Sequence, residues 1–226
     1  MLTLVTATGA RPQAWALCER WMAAQTFAGP VRWVIVDDGP EPQPITFRRA
    51  GWELVLIRPA PFWRPGQNTQ ARNLSKGLEA VGRDDVAVLA EDDDHYAPGW
   101  LDAVAQNIYR AELIGTPRAR YYNIATRIAR QLNNAGHSSL CSTAIRGKAI
   151  DTMRRICKPG VKFIDLSLWR QHPSKHLFAG DYVTGIKGLP GRGGIGMGHR
   201  PEFNGTPDPD FKILRQWIGD DTEFYL

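Results

Sequence analysis

The first hundred residues alternate between short apolar runs and segments with helical periodicity. Trp15, Cys18 and Met22 share one face of a helix predicted over 12–25, and a second helix is predicted around Leu74. Four β-prone apolar runs are predicted to form strands at 2–6, 31–36, 52–57 and 86–89. Strands separated by helices in this order predict an α/β fold, with a mostly parallel central sheet flanked by helices.

The pattern is looser after residue 101. Helices are predicted at 101–111, 124–132 and 148–157, the middle one from the stripe formed by Ile124, Ile128 and Leu132. The segment 185–198 contains seven glycines in fourteen residues, which predicts a flexible loop. Neither a linker nor an internal repeat divides the chain, so we expect residues 1–226 to form a single domain.

Composition excludes several classes of protein. With 43% hydrophobic and 23% charged residues, the chain is neither disordered, collagen-like nor a coiled coil. No apolar run approaches the about 18 residues that span a bilayer, so no membrane segment is expected. The three cysteines are odd in number and form no CxxC pair, which favours neither a disulfide framework nor a structural zinc site. We therefore expect a reducing, cytoplasmic location.

Acidic residues follow two of the predicted strands directly. Asp37 and Asp38 come after 31–36, and Glu91 to Asp94 come after 86–89. Since parallel strands present their carboxyl ends at one edge of a sheet, both groups are expected at the edge where α/β folds bind ligands. Four consecutive carboxylates repel one another unless a cation neutralises them, and oxygen ligands suit Mg²⁺ or Mn²⁺. A solvated acidic turn is the alternative interpretation.

Four motifs occur in order within residues 2–101: VTATGARP at 5–12, VIVDDG at 34–39, NTQARNLSKGL at 68–78 and the acidic run of 88–101. The last is similar to a DxD region, and the ordered set resembles the family 2 glycosyltransferases of the GT-A fold. The resemblance implies one Rossmann-like GT-A domain. It further implies that 1–101 is the half that binds a nucleotide-sugar and 102–226 the acceptor half, with the glycine-rich loop at 185–198.

The resemblance also implies a donor pocket. Asp37 and Asp38 would hold the base and ribose of a nucleotide, while Thr6, Thr8 and Arg11 would line the same pocket. Carboxylates suit this task because ribose hydroxyls and base N–H groups are hydrogen-bond donors.

The metal site implied by the resemblance centres on Asp93 as the principal ligand. Glu91 stands in the first acidic place of DxD, where the family often has aspartate, and Asp92 would bridge toward the ribose or the metal. Arg72 would either steady the diphosphate or pair with an acid structurally. His199 follows the glycine-rich loop, where several GT-A enzymes have a late metal ligand, although a surface histidine is the alternative. The expected cofactor is Mn²⁺ or Mg²⁺.

A candidate general base lies in the second half. The segment FIDLSLWR at 163–170 resembles the acidic motif of inverting family members, with Ile164 in place of the usual glutamate. Asp165 would then take the proton of the acceptor hydroxyl. A helix cap or a paired structural acid is the alternative for Asp165.

The leading hypothesis is a metal-dependent, inverting glycosyltransferase that uses a UDP-sugar. Between Arg110 and Lys162 there are eleven basic and two acidic residues, a net charge of +9 in the acceptor half, with Tyr121 and Tyr122 among them. This mixture favours DNA bearing a hydroxylated base as the acceptor, with glycans, lipids and small molecules as alternatives. A sugar-phosphate nucleotidyltransferase is the closest enzyme rival, but 7–11 matches its GxGxR loop only in part. A non-catalytic nucleic-acid-binding module would leave the acidic clusters unexplained.

Overall fold

A seven-stranded sheet runs through the computed structural model, which describes residues 1–194, 196–200 and 202–226. The strands are β1 (Leu2–Thr8), β2 (Val31–Asp37), β3 (Trp52–Ile57), β4 (Val86–Leu89), β5 (His95–Tyr96), β6 (Leu113–Gly115), β7 (Arg118–Asn123), β8 (Ile128–Asn133), β9 (Thr143–Arg146), β10 (Lys175–Leu177), β11 (Val183–Lys187) and β12 (Thr206–Pro207). The α-helices are α1 (Pro12–Ala23), α2 (Gln70–Glu79), α3 (Trp100–Asn107), α4 (Lys148–Ile156), α5 (Ile164–Gln171) and α6 (Lys212–Ile218).

The seven strands follow the order β10-β6-β9-β4-β1-β2-β3, in which β9 runs antiparallel to both neighbours and the other pairs are parallel. The predicted α/β fold, with a mostly parallel sheet flanked by helices, is confirmed. The four strands and two helices predicted before residue 90 are present; the apolar runs of β1, β2 and β4 are buried on both faces, as a parallel sheet requires, whereas β3 at the edge is only partly buried.

Two apolar layers enclose this sheet. On one face Trp15 and Trp21 of α1 pack with Trp33 of β2. On the other face α2 and α4 cover the sheet. A Cβ built on Gly77 of α2 would lie 2.5 Å from Cγ1 of Val5, so glycine permits this close approach of helix and sheet. The helices thereby fix the direction in which the ends of β1 and β4 point.

A second sheet of five strands, in the order β12-β8-β7-β11-β5, stands beside the acidic run. Its strand β5 begins directly after Asp94, and Thr184 of β11 pairs with His95 of β5. Strand β11 also runs parallel to β7, ending at Lys187 opposite Asn123. The second sheet thus brings a residue from far along the chain to the end of β4.

The helix predicted at 124–132 is wrong. Strands β7 and β8 form an antiparallel hairpin there, with Tyr121 opposite Arg130 and a turn in which Arg127 has a φ of 53°. The stripe of Ile124, Ile128 and Leu132 fits a helix, but pairing with a neighbouring strand decides the outcome. The helices predicted at 101–111 and 148–157 are confirmed as α3 and α4, although α3 ends at Asn107 and a 3₁₀ turn follows at Ile108–Arg110.

The flexible loop predicted at 185–198 is wrong in its first three residues, which complete β11. Gly185 serves close packing, since a Cβ there would lie 2.6 Å from the ring of Tyr121. Ile195 lies outside the described residues.

All three cysteines, Cys18, Cys141 and Cys157, are buried free thiols. Among the helices of the described ranges, none combines the length and the apolar character needed to cross a bilayer.

Candidate active site

A cavity of about 420 Å³ opens at the carboxyl ends of β1 and β4. Its walls come from the β1–α1 connection, the start of α2, the acidic run, the β7–β8 hairpin, the start of α5 and the described part of 192–200. Small-molecule sites in proteins have volumes of about 300–1,000 Å³. The cavity therefore has the place and the size expected of a ligand site in an α/β fold.

Arg11 ties the first turn of the site to the acidic run. Its guanidinium donates to Oδ1 of Asp92 and, at 2.7 Å, to Oδ2 of Asp93, while Thr8 Oγ1 donates to Asp92 at 2.8 Å. Burial raises the pKa of Asp92 to about 6, although Arg11 opposes that shift. Burial would likewise raise the pKa of Asp93, but Arg11, Lys187 and His199 outweigh it and hold that pKa well below its usual value. The Asp93 carboxylate therefore stays ionised at neutral pH and forms part of the cavity wall.

Lys187 places a second cation inside the acidic run. Its Nζ lies 2.7 Å from Oδ1 of Asp94, 3.3 Å from Oδ1 of Asp93 and 3.8 Å from Oε2 of Glu91. The residue is only 6% exposed. Burial alone would lower the pKa of Lys187, but these carboxylates raise it, so the side chain remains an ammonium. Sequence reasoning did not place Lys187 beside the acids, because more than ninety positions and a glycine-rich pattern separate it from them.

The charges of the cluster leave room for one divalent cation. Burial raises the pKa of Asp94 well above its usual value, but Glu91, Asp92 and Asp93 still outnumber the two cations Arg11 and Lys187, so the cluster keeps a net negative charge. Nε2 of His199 lies 3.3 Å from Oδ2 of Asp93, and both residues line the cavity. A carboxylate beside an imidazole is a donor set that fits a divalent transition metal such as Mn²⁺.

A different group of ligand atoms lies deeper. Single atoms of Glu91, Asp94 and Cys141 lie within 4.8 Å of one another. This group is a poorer site, because burial raises the pKa of both Asp94 and the Cys141 thiol, whereas a metal ligand must be deprotonated. Glu91 also accepts a hydrogen bond from Gln70 Nε2 at 2.6 Å. Asp93 and His199 therefore form the side of the cluster best suited to an ion in the cavity.

Thr6 was expected to line the donor pocket, and for this residue the expectation is wrong. Thr6 lies deeper in β1 than Thr8, and its Oγ1 accepts a hydrogen bond from Trp33 Nε1 at 3.0 Å beneath α1. It does not line the cavity, whereas Thr8 and Arg11 do.

Asp37 and Asp38 are both fully buried and do not line the cavity. Asp37 accepts hydrogen bonds from the backbone N–H groups of Gly39 at 2.9 Å and Gln43 at 2.8 Å, and thus organises the turn after β2. Asp38 accepts from Thr69 Oγ1 and, at 3.0 Å, from Arg72. Arg72 does not line the cavity either, and these contacts correspond to its structural alternative.

Asp165 lies in the first turn of α5 and lines the cavity together with Glu91 and His137. Burial raises the pKa of Asp165, and the charge of Glu91 adds to this effect. A carboxyl group with a raised pKa is better suited to accept a proton near neutral pH than an ordinary surface aspartate. Phe163, the residue just before α5, also lines the cavity. It is 63% exposed and has a left-handed backbone conformation with φ 54°.

No protein-family model matches the chain, and no curated protein matches its sequence. Among solved structures, S. aureus TarS 1–349 superposes with a TM-score of 0.52 at 11% identity, over 82% of this chain and 60% of that one. Its complex with UDP gives 0.53 at 11% identity over the same shares. Its complex with UDP-GlcNAc gives 0.56 at 12% identity over 96% of this chain and 65% of the other. The chain thus spans less than two thirds of TarS 1–349, with which it shares a mixed α/β fold around a mostly parallel sheet.

Proposed function

We propose that this protein is a glycosyltransferase that moves a sugar from a nucleoside-diphosphate donor to an acceptor hydroxyl. The observation that carries the proposal is the cavity at the ends of β1 and β4, which has Asp93 and Arg11 on one wall and Asp165 on another. The similarity in fold to TarS, which was solved with UDP and UDP-GlcNAc, supports a UDP-sugar as donor.

In the proposed reaction Asp165 accepts the proton of the acceptor hydroxyl as its oxygen forms a bond to the anomeric carbon. The bond between that carbon and the diphosphate oxygen breaks on the opposite side, so the configuration inverts. Arg11 and Lys187 supply fixed positive charge near the departing diphosphate, where charge develops in the transition state.

A divalent cation fits the negative charge of the cluster, and Asp93 and His199 are the residues that would hold it, with Glu91 in the wall of the same cavity. The expected ions are Mn²⁺ and Mg²⁺, and the imidazole favours Mn²⁺. When bound, such an ion acts as a Lewis acid on the diphosphate.

The direct test is incubation with UDP-GlcNAc or UDP-glucose and Mn²⁺, followed by measurement of UDP release. Release that requires the ion and stops in excess chelator supports the proposal. Pyrophosphate release from UTP and a sugar 1-phosphate would instead identify a nucleotidyltransferase. Failure of every nucleoside diphosphate to bind would leave the non-catalytic alternative.

DNA bearing a hydroxylated base is the acceptor that we propose. Arg130 and Lys162 line the cavity together with Tyr121, so part of the basic segment borders the site itself. Binding to a DNA duplex should weaken steeply with salt, and Lys162→Glu should reduce that dependence. Lys158→Glu is the control, since Lys158 is exposed and lies outside the cavity wall. Transfer only to glycans or lipids, with no duplex binding at low salt, would contradict this acceptor.

A further inference from the structure

The side chain of Arg192 covers the carboxylate of Asp38. Its guanidinium donates to Oδ1 of Asp38 at 2.5 Å and to Thr69 Oγ1 at 2.5 Å, and its backbone N–H donates to the carbonyl oxygen of Ala10 at 3.1 Å. Arg192 lines the cavity, whereas Asp38 behind it is fully buried. Arg192 therefore separates Asp38 from the open space of the cavity.

Trp63 forms the surface on which this guanidinium rests. The guanidinium carbon of Arg192 lies 4.6 Å from the centroid of the Trp63 ring. The indole is held in place, because the backbone N–H of Trp63 donates to the Asp38 carbonyl at 2.7 Å and its Nε1 donates to the Gln67 carbonyl at 3.1 Å. The Trp63 ring and Oδ1 of Asp38 thus border one position, which the Arg192 guanidinium occupies.

A guanidinium and a nucleotide base share the properties that this position recognises. Both are planar, both stack on an indole, and a base such as uracil carries a ring N–H that can donate to a carboxylate. Arg72 lies on the other oxygen of Asp38, Oδ2, at 3.0 Å. Departure of Arg192 would therefore free Oδ1 as an acceptor while the carboxylate keeps a cationic partner.

We propose that Trp63 is the stacking face for the base of the donor nucleotide, and that the Arg192 guanidinium fills this subsite until the base displaces it. The inference rests on the proposed function, since it assigns the base subsite of the same donor. It makes Trp63 a base-binding residue that sequence motifs did not indicate. With ring N3 of the base facing Oδ1 of Asp38, the subsite favours uracil, whose N3 carries a hydrogen, over cytosine, whose N3 is an acceptor.

The experiment is calorimetric titration of UDP into the wild-type protein and two pairs of variants. Arg192→Gln is paired with Arg64→Gln, which removes an exposed arginine from the same loop as Trp63. Trp63→Ala is paired with Phe62→Ala, which removes an exposed aromatic ring from that loop. Trp63→Phe, which keeps a stacking face, is added in case the alanine variant folds poorly.

Arg192→Gln should bind UDP about tenfold more tightly than wild type, because the competing occupant is gone. Trp63→Ala should bind it about tenfold more weakly, Trp63→Phe should stay within about twofold, and both control variants should match wild type. CDP should bind wild type more weakly than UDP.

Weaker or unchanged UDP binding in Arg192→Gln would overturn the inference, as would equal binding in Trp63→Ala and Phe62→Ala. If UDP binds all variants equally, the proposed function stands and this inference alone fails. If none of UDP, CDP, GDP and ADP binds any variant, both fail together.

Discussion

Replacement of Lys187 by methionine tests the electrostatic account of the acidic cluster. The ammonium contacts Asp94 at 2.7 Å and Asp93 at 3.3 Å and is only 6% exposed, so its removal leaves buried carboxylates with one cation fewer. Removal of one partner from a buried ion pair costs about 3–5 kcal/mol of unfolding free energy. We expect Lys187→Met to lose an amount in this range at pH 7.5.

The loss should also depend on pH. In the wild type the pKa of Asp93 is lowered, so its contribution to stability is present at neutral pH and disappears as the pH falls below the ordinary carboxyl range near about 4. The difference between wild type and Lys187→Met should therefore shrink in urea titrations at about pH 2.5 relative to pH 7.5, because the loss occurs between the unfolded-state pKa near about 4 and the lower folded-state pKa.

The matched control is Lys76→Met, which removes an ammonium that pairs with Glu79 at 2.9 Å but is 48% exposed on the side chain. Its expected effect is about 0.5 kcal/mol or less, because exposed pairs are weak. A loss below about 1 kcal/mol for Lys187→Met at pH 7.5, or an equal loss at both pH values, would refute the reasoning.

Three further predictions concern the proposed ion site, the proposed general base and the packing of the core. Asp93→Asn should abolish Mn²⁺-dependent UDP binding, measured by calorimetry, while circular dichroism stays unchanged; full binding would exclude Asp93 as a ligand. Asp165→Asn should keep UDP affinity and lower turnover by about a hundredfold. Since burial raises the pKa of Asp165, wild-type turnover should decline with acidification at a pH above the usual carboxyl range, and a flat profile would count against the base. Gly77→Ala should destabilise the fold by about 1–3 kcal/mol in urea titrations, whereas Gly136→Ala, with open space around it, should change it by less than about 0.5 kcal/mol.

The strands and helices before residue 90 were predictable, because local sequence patterns determine them. Strands β1, β2 and β4 are mostly apolar and buried on both faces, which makes their type and position evident from sequence. The hairpin of β7 and β8 was not predictable in this way, because Ile128 and Leu132 fit a helical stripe as well as a strand. The pairing of β8 with β7, in which Tyr121 lies opposite Arg130, decides for a strand, and the periodicity of 124–132 alone does not reveal this pairing.

In the candidate site, too, the positions fixed by local sequence were predictable and the contacts between distant segments were not. Asp92 and Asp93 follow β4 directly and line the cavity, since the end of a parallel strand fixes where the next residues lie. The contacts of Lys187 and Arg192 with acidic residues could not be predicted, because side-chain contacts between distant segments produce no pattern in a single sequence. Thr6 failed for a simpler reason, since the motif gave its neighbourhood but not its depth in β1.

The position of Lys187 on β11 has a consequence for how the chain folds. The four carboxylates belong to the segment after β4, while one of their two buried cations arrives with a strand that starts at Val183. A fragment ending near residue 101 would keep the acids and lose that cation, together with β9, which pairs directly with β4. We therefore expect residues 1–101 to be unstable alone and the two halves of the chain to unfold in one cooperative transition, so that splitting the gene between them would yield two insoluble pieces.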